Sequence, residues 1–258
     1  MQGRGRRFES DMLHQKGDCL IIIVGRGHSG TRAIAHTLLG SGVHMGEVLN
    51  VSGDLIPPDP MYQACVHFGR HVKYKSDLEW DFSGVLSREP TEDFVTNLNR
   101  YLNTVLRHKK EKRGWKIPET SLVYPWVVRM FPEAKYIYWV RDPRDNILAG
   151  HGTDLLSNYA VPCEPLKGLI TRAASWKYQW DLFKAVPEPK NLIKVRFEDF
   201  VLKQEETLKR LEEFLGFPLA RIVVNPAKVE RWRTTQEKCH FEIFRNMIEE
   251  FGYPPLEE

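Results

Sequence analysis

Three glycines in six residues, Gly25, Gly27 and Gly30, frame a loop that also carries Ser29, Thr31 and two arginines, Arg26 and Arg32. Loop glycines let backbone N–H groups approach an anion closely, and the hydroxyls and guanidinium groups of the same turn supply further donors. Residues 20–24 before the loop are an apolar run rich in β-branched side chains, short enough for a strand buried on both faces. Residues 33–39 after it place Ile34 and Leu38 four apart, as on the inner face of a helix, and Gly40 ends the pattern. Strand, glycine-rich loop and helix together aim a helix N-terminus at a phosphate or sulfate. Gly25 and Gly30 match the G-x-x-x-x-G of a nucleotide-triphosphate loop, but Thr31-Arg32 stands where Lys-Ser/Thr should follow. Without that lysine and its neighbouring hydroxyl, magnesium-assisted triphosphate chemistry lacks its main electrostatic parts. A tight strand-to-helix turn without a ligand is the competing reading.

Two further basic residues sit where an open α/β sheet binds ligands, at strand carboxyl ends. Residues 134–140 (AKYIYWV) read as a buried strand that delivers Arg141 into the turn Arg141-Asp-Pro-Arg-Asp145, where Arg141 can meet a phosphate or pair with Asp142 or Asp145. Residues 114–118 (GWKIP) read as a shorter strand with Lys116 at its apolar-to-polar boundary.

The remaining elements are those needed to position these ends. Phe94, Leu98, Tyr101, Leu102 and Val105 mark an amphipathic helix over 92–106, Leu122 to Met130 a second, and Leu169, Ala173, Trp176, Trp180 and Phe183 a long one from Leu166. Residues 191–197 (NLIKVRF) read as a third strand with Glu198-Asp199 as its polar exit. Helices follow around 208–215 and 243–251. Residues 42–61 contain Pro57, Pro58 and Pro60 and read as loop. Aromatic and histidine residues concentrate over 62–82, in keeping with core packing or a cleft wall, and residues 107–113 (RHKKEKR) read as a solvated helix end or a polyanion patch. Strands alternating with helices predict a three-layer α/β/α sandwich with a mainly parallel central sheet and a P-loop-like first turn. Residues 18–258 are expected to form one domain after a polar, disordered lead-in at 1–17.

A length of 258 residues suffices for a sizeable core, and 42% hydrophobic with 28% charged residues is ordinary globular composition. A net charge of +3 is too small to argue for nucleic acid and suits a local basic site. Four scattered cysteines, with no C-x-x-C pair, argue against a zinc site or a disulfide framework and fit a reducing, cytoplasmic setting. No apolar run reaches membrane-spanning length.

Four ordered segments of this chain resemble the sulfotransferases that use 3′-phosphoadenosine 5′-phosphosulfate (PAPS). They are GRGHSGTR at 25–32, GWKIPETSLVYPWVVRMFPEAKYIYWVRDPRD at 114–145, VRFEDFVLKQEETLKRLEEFLGFPL at 195–219 and KVERWR at 228–233. The resemblance covers most of residues 18–252 and is closest to bacterial-type members. It implies transfer of a sulfuryl group from PAPS to a hydroxyl or amine acceptor by in-line displacement, releasing adenosine 3′,5′-diphosphate without an obligatory metal. The acceptor stays open among carbohydrate, lipid, peptide and small alcohol.

Carried onto this sequence, the resemblance puts Arg26, Gly27, His28, Ser29, Gly30, Thr31 and Arg32 around the 5′-phosphosulfate and Arg141 on the 3′-phosphate. It puts Phe197 against the adenine, and Lys228 or Arg231 over the 3′-phosphate. His28 and Lys116 are assigned to the sulfuryl and leaving oxygens. Glu47 is the first choice of base, followed by Glu119 and His151. The chain departs from the family pattern twice: His28 replaces the usual Lys or Arg, and Ala149 replaces a serine, a loss that Arg144 or His151 can offset. Two other classes remain, a P-loop nucleotide or small-molecule kinase and a non-catalytic module of the same fold.

Overall fold

The computed structural model describes residues 19–256, so the lead-in expected over 1–17 lies outside the described residues. In chain order the elements are β1 (Cys19–Val24), α1 (Thr31–Gly40), α2 (Asp59–Gly69), the short strands β2 (Lys73–Tyr74) and β3 (Trp80–Asp81), α3 (Ser83–Leu86) and α4 (Glu92–Leu106). There follow β4 (Lys112–Lys116), α5 (Tyr124–Met130), β5 (Lys135–Val140), α6 (Pro143–Asn146), α7 (Leu169–Lys184), β6 (Leu192–Arg196), α8 (Phe197–Leu202), α9 (Gln204–Leu215) and α10 (Arg245–Phe251). Short 3₁₀ turns join several of them.

The central sheet has the order β4-β1-β5-β6 and is parallel throughout; β2 and β3 form a separate antiparallel hairpin. Side chains along β1 alternate between two cores, as the two-residue strand period requires. Ile21 and Ile23 pack with Ile34 and Leu38 of α1 and Leu208 and Leu211 of α9. Leu20, Ile22 and Val24 pack on the other face with residues of α2, α4, α5 and α7, including Phe68, Leu98, Trp126 and Phe183. Helices therefore cover both faces, which is why the strands read as nearly continuous apolar runs. This is the expected α/β/α sandwich. Among the described residues no helix is long and apolar enough to cross a membrane.

The topology fixes where a ligand can sit. From β1 the chain crosses to β4 on one side, then returns past β1 to β5 on the other, so the connections diverge at β1 and leave a crevice at the strand carboxyl ends. Lys116, the last residue of β4, is in register with Ile23 of β1, and Val140 of β5 with Arg196 of β6. Four strand ends thus deliver the Gly25 loop, Lys116, Arg141 and Phe197 to one rim.

Several boundaries differ from those expected. The second strand runs from Lys112 to Lys116, because pairing with β1 extends into the basic segment, and Pro118–Leu122 is a 3₁₀ turn instead of strand or helix. Helix α2 begins inside the proline-rich stretch: Pro60 lies in its first turn, where a missing N–H costs nothing. The polar exit at Glu198-Asp199 is itself helical, as part of α8.

Candidate active site

The glycine-rich loop is clamped from beneath. Trp139 Nε1 donates to the Ser29 carbonyl at 3.0 Å, Arg141 Nη1 to the His28 carbonyl at 3.0 Å, and Asn146 Nδ2 to the Gly27 carbonyl at 2.8 Å. Three successive carbonyls are thereby held on the sheet side. Trp139 and Arg141 come from the end of β5. Asn146 arrives because Asp142 caps α6, accepting from the Arg144 N–H, and Pro143 opens that helix. Gly30 caps α1 with φ 88° and no side-chain bond, and no acidic residue stands in the first turn, so the first N–H groups of α1 and the positive end of its dipole are left for an external anion. A Cβ on Gly30 would lie 2.3 Å from the Phe197 ring, and one on Gly27 would lie 2.2 Å from the His151 ring. Both glycines are required by close approach.

This loop forms one wall of a cleft of about 580 Å³. Of the sequence-predicted residues, Gly27, His28, Gly30, Thr31, Arg32, Lys116, Arg141, Phe197, Lys228 and Arg231 all line it. At one end Arg141 lies with its guanidinium 4.7 Å from the Phe197 ring centroid. It donates to Asp145 Oδ2 at 3.0 Å and to the Lys228 carbonyl. Its Nε, like that of Arg231, is buried without a hydrogen-bond partner among the described residues. Asp145 ties this end together: its other oxygen accepts from the Trp232 N–H at 2.8 Å and its carbonyl from Arg231 Nη2 at 3.2 Å. The pairing of Arg141 with Asp145 that the sequence allowed is therefore present, and it leaves the Nε nitrogen without a partner among the described residues.

At the other end a hairpin-like strap, part of the segment that joins α1 to α2, lines the cleft with Ser52 and Asp54. Leu49 and Leu55 bridge, the Ile56 N–H donates to the Val48 carbonyl at 3.0 Å, and the Asn50 side chain accepts from the Ser52 and Asp54 N–H groups. The strap engages both cations. Lys116 Nζ lies 2.5 Å from Asp54 Oδ1, and Arg32 Nη2 donates to Ser52 Oγ at 2.9 Å. Burial pushes the Lys116 amine below its ordinary value, and Asp54 opposes that shift.

Two histidines face each other in this region at 5.6 Å between centroids. His28 takes φ 60°, and its Nε2 is 2.8 Å from the Gly150 carbonyl. A carbonyl only accepts, so Nε2 carries the proton and the neutral ring keeps its lone pair at Nδ1. Burial lowers the His28 value. His151 has the same tautomer but its lone pair is taken: its Nδ1 accepts from the Thr153 N–H at 3.1 Å, so its neutral ring offers only a donor, at Nε2. Burial and then Arg26 push His151 down to about 4.

Four expected residues lie elsewhere. Arg26 is buried under the loop, paired with Asp154 and donating to the Asn146 carbonyl at 3.1 Å. Ser29 is also turned beneath the loop, beside a void of about 30 Å³. Arg144 is fully buried and saturated by Asp142, the Pro255 carbonyl and the Trp232 ring, which rules out the compensating contact expected of it. Glu47 opens onto a separate recess with Asp59 and Arg100, because the strap begins just after it and turns the chain away. The carboxylate that lines the cleft is Asp54, a residue that sequence reasoning missed, although the turn-forming run Asn50-Val-Ser-Gly-Asp54 precedes it. Glu119 is buried behind this end, where Tyr159 Oη donates to Oε1 at 3.0 Å; burial raises its carboxyl to about 7.

Comparison with known proteins supplies the family. A family model described as the sulfotransferase family matches residues 21–221. Among solved structures, the sulfotransferase domain from the curacin biosynthetic pathway aligns over 92% of this chain and 99% of its own length, at 14% identity and a TM-score of 0.60. The sulfotransferase domain from the Synechococcus PCC 7002 olefin synthase aligns over 93% and 97%, at 16% identity and a TM-score of 0.58. At these identities the likeness is one of fold. Among curated proteins no match was found.

Proposed function

The chain belongs to the sulfotransferase family, and from that premise we propose that its cleft binds PAPS and passes the sulfuryl group to an acceptor hydroxyl. One observation carries the reading: a single cleft holds an uncapped helix N-terminus at one end and buried, unpartnered Arg141 and Arg231 nitrogens at the other, with the Phe197 ring beside Arg141. A nucleotide with an anionic group at each end fits that arrangement. Gly30 fits it as well, since any larger residue would push Phe197 out of place.

In this reading Gly27, Gly30, Thr31 and Arg32 hold the 5′-phosphosulfate, Arg141 and Arg231 the 3′-phosphate, and Lys228 lies over that end. When bound, the donor supplies an activated sulfuryl group. Lys116 presents positive charge to the sulfuryl oxygens, and His28 joins it once a bound anion raises its pKa and protonates Nδ1. Asp54 takes the role expected of Glu47 and accepts the acceptor proton on its carboxylate. His151 cannot do so in its neutral form, because its free nitrogen is already a donor. The acceptor oxygen bonds to sulfur as the bond from sulfur to the phosphate oxygen breaks, and adenosine 3′,5′-diphosphate leaves.

Calorimetry with adenosine 3′,5′-diphosphate, 5′-AMP and ATP–magnesium tests the donor. The wild type is expected to prefer the 3′-phosphorylated ligand at least tenfold, and Arg141→Ala to abolish the preference. If ATP–magnesium binds best, the kinase reading replaces this one.

A further inference from the structure

Helix α7 is buried along most of its length, yet it carries a polar stripe that lines no part of the cleft. Arg172, Ser175 and Gln179 stand three and four residues apart and so share one face. Ser175 and Gln179 are 0% and 5% exposed. Replacing a buried polar pair by apolar groups of the same shape is nearly neutral, so stability gives little reason to keep one there. The partners of the stripe do give a reason, because its bonds lead to turns that enter or leave the cleft.

Arg172 Nη1 donates to the Ile147 and Leu148 carbonyls, both at 3.0 Å. Its guanidinium packs on Gly150, where a Cβ would lie 3.3 Å from Nε and Nη2. The Gly150 carbonyl accepts from His28 Nε2 at 2.8 Å. Arg172 therefore fixes the turn that supplies the acceptor orienting the His28 ring. Further along α7, Ser175 Oγ donates to the Thr153 carbonyl at 2.7 Å, and the Thr153 N–H is the donor to His151 Nδ1. Gln179 Nε2 donates to Ser175 Oγ at 2.9 Å, and Gln179 Oε1 meets the Ser121 hydroxyl, which also lies 2.6 Å from the Pro118 carbonyl. Ser121 has one proton for these two acceptors. Pro118 lines the cleft two residues after Lys116. One chain of side chains thus runs from the turn behind Lys116, through α7, to the turn that carries His151.

Resting on the sulfuryl-transfer reading, we propose that Arg172 and Gln179 are positioning residues: Arg172 holds the turn whose Gly150 carbonyl orients His28, and Gln179 holds, through Ser121, the turn that follows Lys116. Both cations assigned to the sulfuryl and leaving oxygens then take their places from a single helix. A displacement of about 1 Å at such a site costs about 10² in rate.

The test compares wild type with Arg172→Met and Gln179→Leu in the full chain. It reads single-turnover cleavage of PAPS with 2-naphthol as acceptor, titration with adenosine 3′,5′-diphosphate, and the nitrogen resonances of His28. Each variant is expected to lose about 10- to 100-fold in rate while nucleotide affinity stays within about threefold. In Arg172→Met the His28 nitrogens are expected to shift from the fixed Nε2–H tautomer toward a mixture of the two. Gln179→Glu supplies the rescue, because the introduced carboxyl, when neutral, donates and accepts as the amide does. Its rate relative to wild type is expected to stand within about threefold at pH 5.5 and to fall toward that of Gln179→Leu as the carboxyl ionises. If Gln179→Leu does not fold, Ser121→Ala and Ser175→Ala break the same chain with a smaller change in volume. A lower melting temperature with the rate within twofold of wild type in both variants marks a merely structural stripe and overturns the proposal, as does an equal loss of rate and nucleotide affinity. If the nucleotide does not bind wild type, the donor reading fails, and the His28 resonances then decide the positioning role: unchanged in Arg172→Met, they overturn it.

Discussion

Replacing Arg144 by alanine removes a guanidinium that the sequence pointed toward a nucleotide phosphate and that the fold uses as a strut. Nε and Nη2 donate to the two oxygens of Asp142 at 2.9 and 2.6 Å, Nη1 donates to the Pro255 carbonyl at 3.2 Å, and the group lies 3.8 Å over the Trp232 ring. Both partners of the ion pair are buried, at 0% and 3% side-chain exposure. Deleting one member of such a pair leaves an uncompensated buried charge and costs about 3–5 kcal/mol, a large part of a total stability of about 5–15 kcal/mol. At about 2–4 °C per kcal/mol for a chain of this size, the melting temperature should fall by roughly 6–20 °C. Calorimetric melting measures the fall, and titration at low temperature with adenosine 3′,5′-diphosphate should find affinity within about threefold of wild type. Arg144→Met combined with Asp142→Asn removes both charges, keeps the cap on α6, and should recover most of the loss. An Arg144→Ala protein that melts within 2 °C of wild type but binds the nucleotide tenfold more weakly would falsify the structural assignment and restore Arg144 to the binding site.

Gly30→Ala places a Cβ 2.3 Å from the Phe197 ring at φ 88°, so it should cost at least about 1–2 kcal/mol from the backbone alone and weaken nucleotide binding. Adding Phe197→Ala should relieve the clash but not the backbone strain, and a single variant as stable as wild type in urea would contradict the geometry. Asp54→Asn should slow single-turnover sulfuryl transfer to 2-naphthol by about 10²–10⁴ while nucleotide affinity stays within a few-fold; unchanged turnover would remove Asp54 as the proton acceptor. Glu119 and His151 should give opposite pH profiles of stability. The Glu119 carboxyl is raised from 4.5 to about 7, so the stability it lends is full below pH 4.5 and is lost as pH rises through 7, an effect of about 3 kcal/mol. The His151 ring is lowered from 6.5 to about 4, so its contribution is present above pH 6.5 and lost as pH falls through 4. Urea midpoints of Glu119→Gln and His151→Asn, each subtracted from wild type between pH 4 and 8, should slope in opposite senses, and parallel curves would rule out both assignments.

Much of the site was legible because it depends on local chain properties. The apolar run at β1, the glycines after it and the helical spacing of Ile34 and Leu38 sit within some twenty residues, and each reports a backbone geometry that the neighbouring residues impose. Lys116 and Arg141 could be placed for the same reason, since each marks where a strand ends, and parallel strands bring their ends to one rim; Phe197 is placed by the family resemblance. Local patterning also misled. Pro60 reads as a breaker in isolation but opens α2, and Glu198-Asp199 reads as a polar exit but lies within α8.

The surroundings of the charged groups are decided only in three dimensions. Arg26 and Arg144 look like their neighbours Arg32 and Arg141 in one dimension. The difference is the buried carboxylate each meets, and Asp154 lies 128 residues along the chain from Arg26. Glu47 is the expected base and Asp54, seven residues on, is not, yet the strap turns the first away from the cleft and the second onto Lys116. Hydrophobic period and turn chemistry are written into short stretches of sequence because they follow from backbone geometry. The charge, tautomer and freedom of a side chain depend on what the fold packs against it.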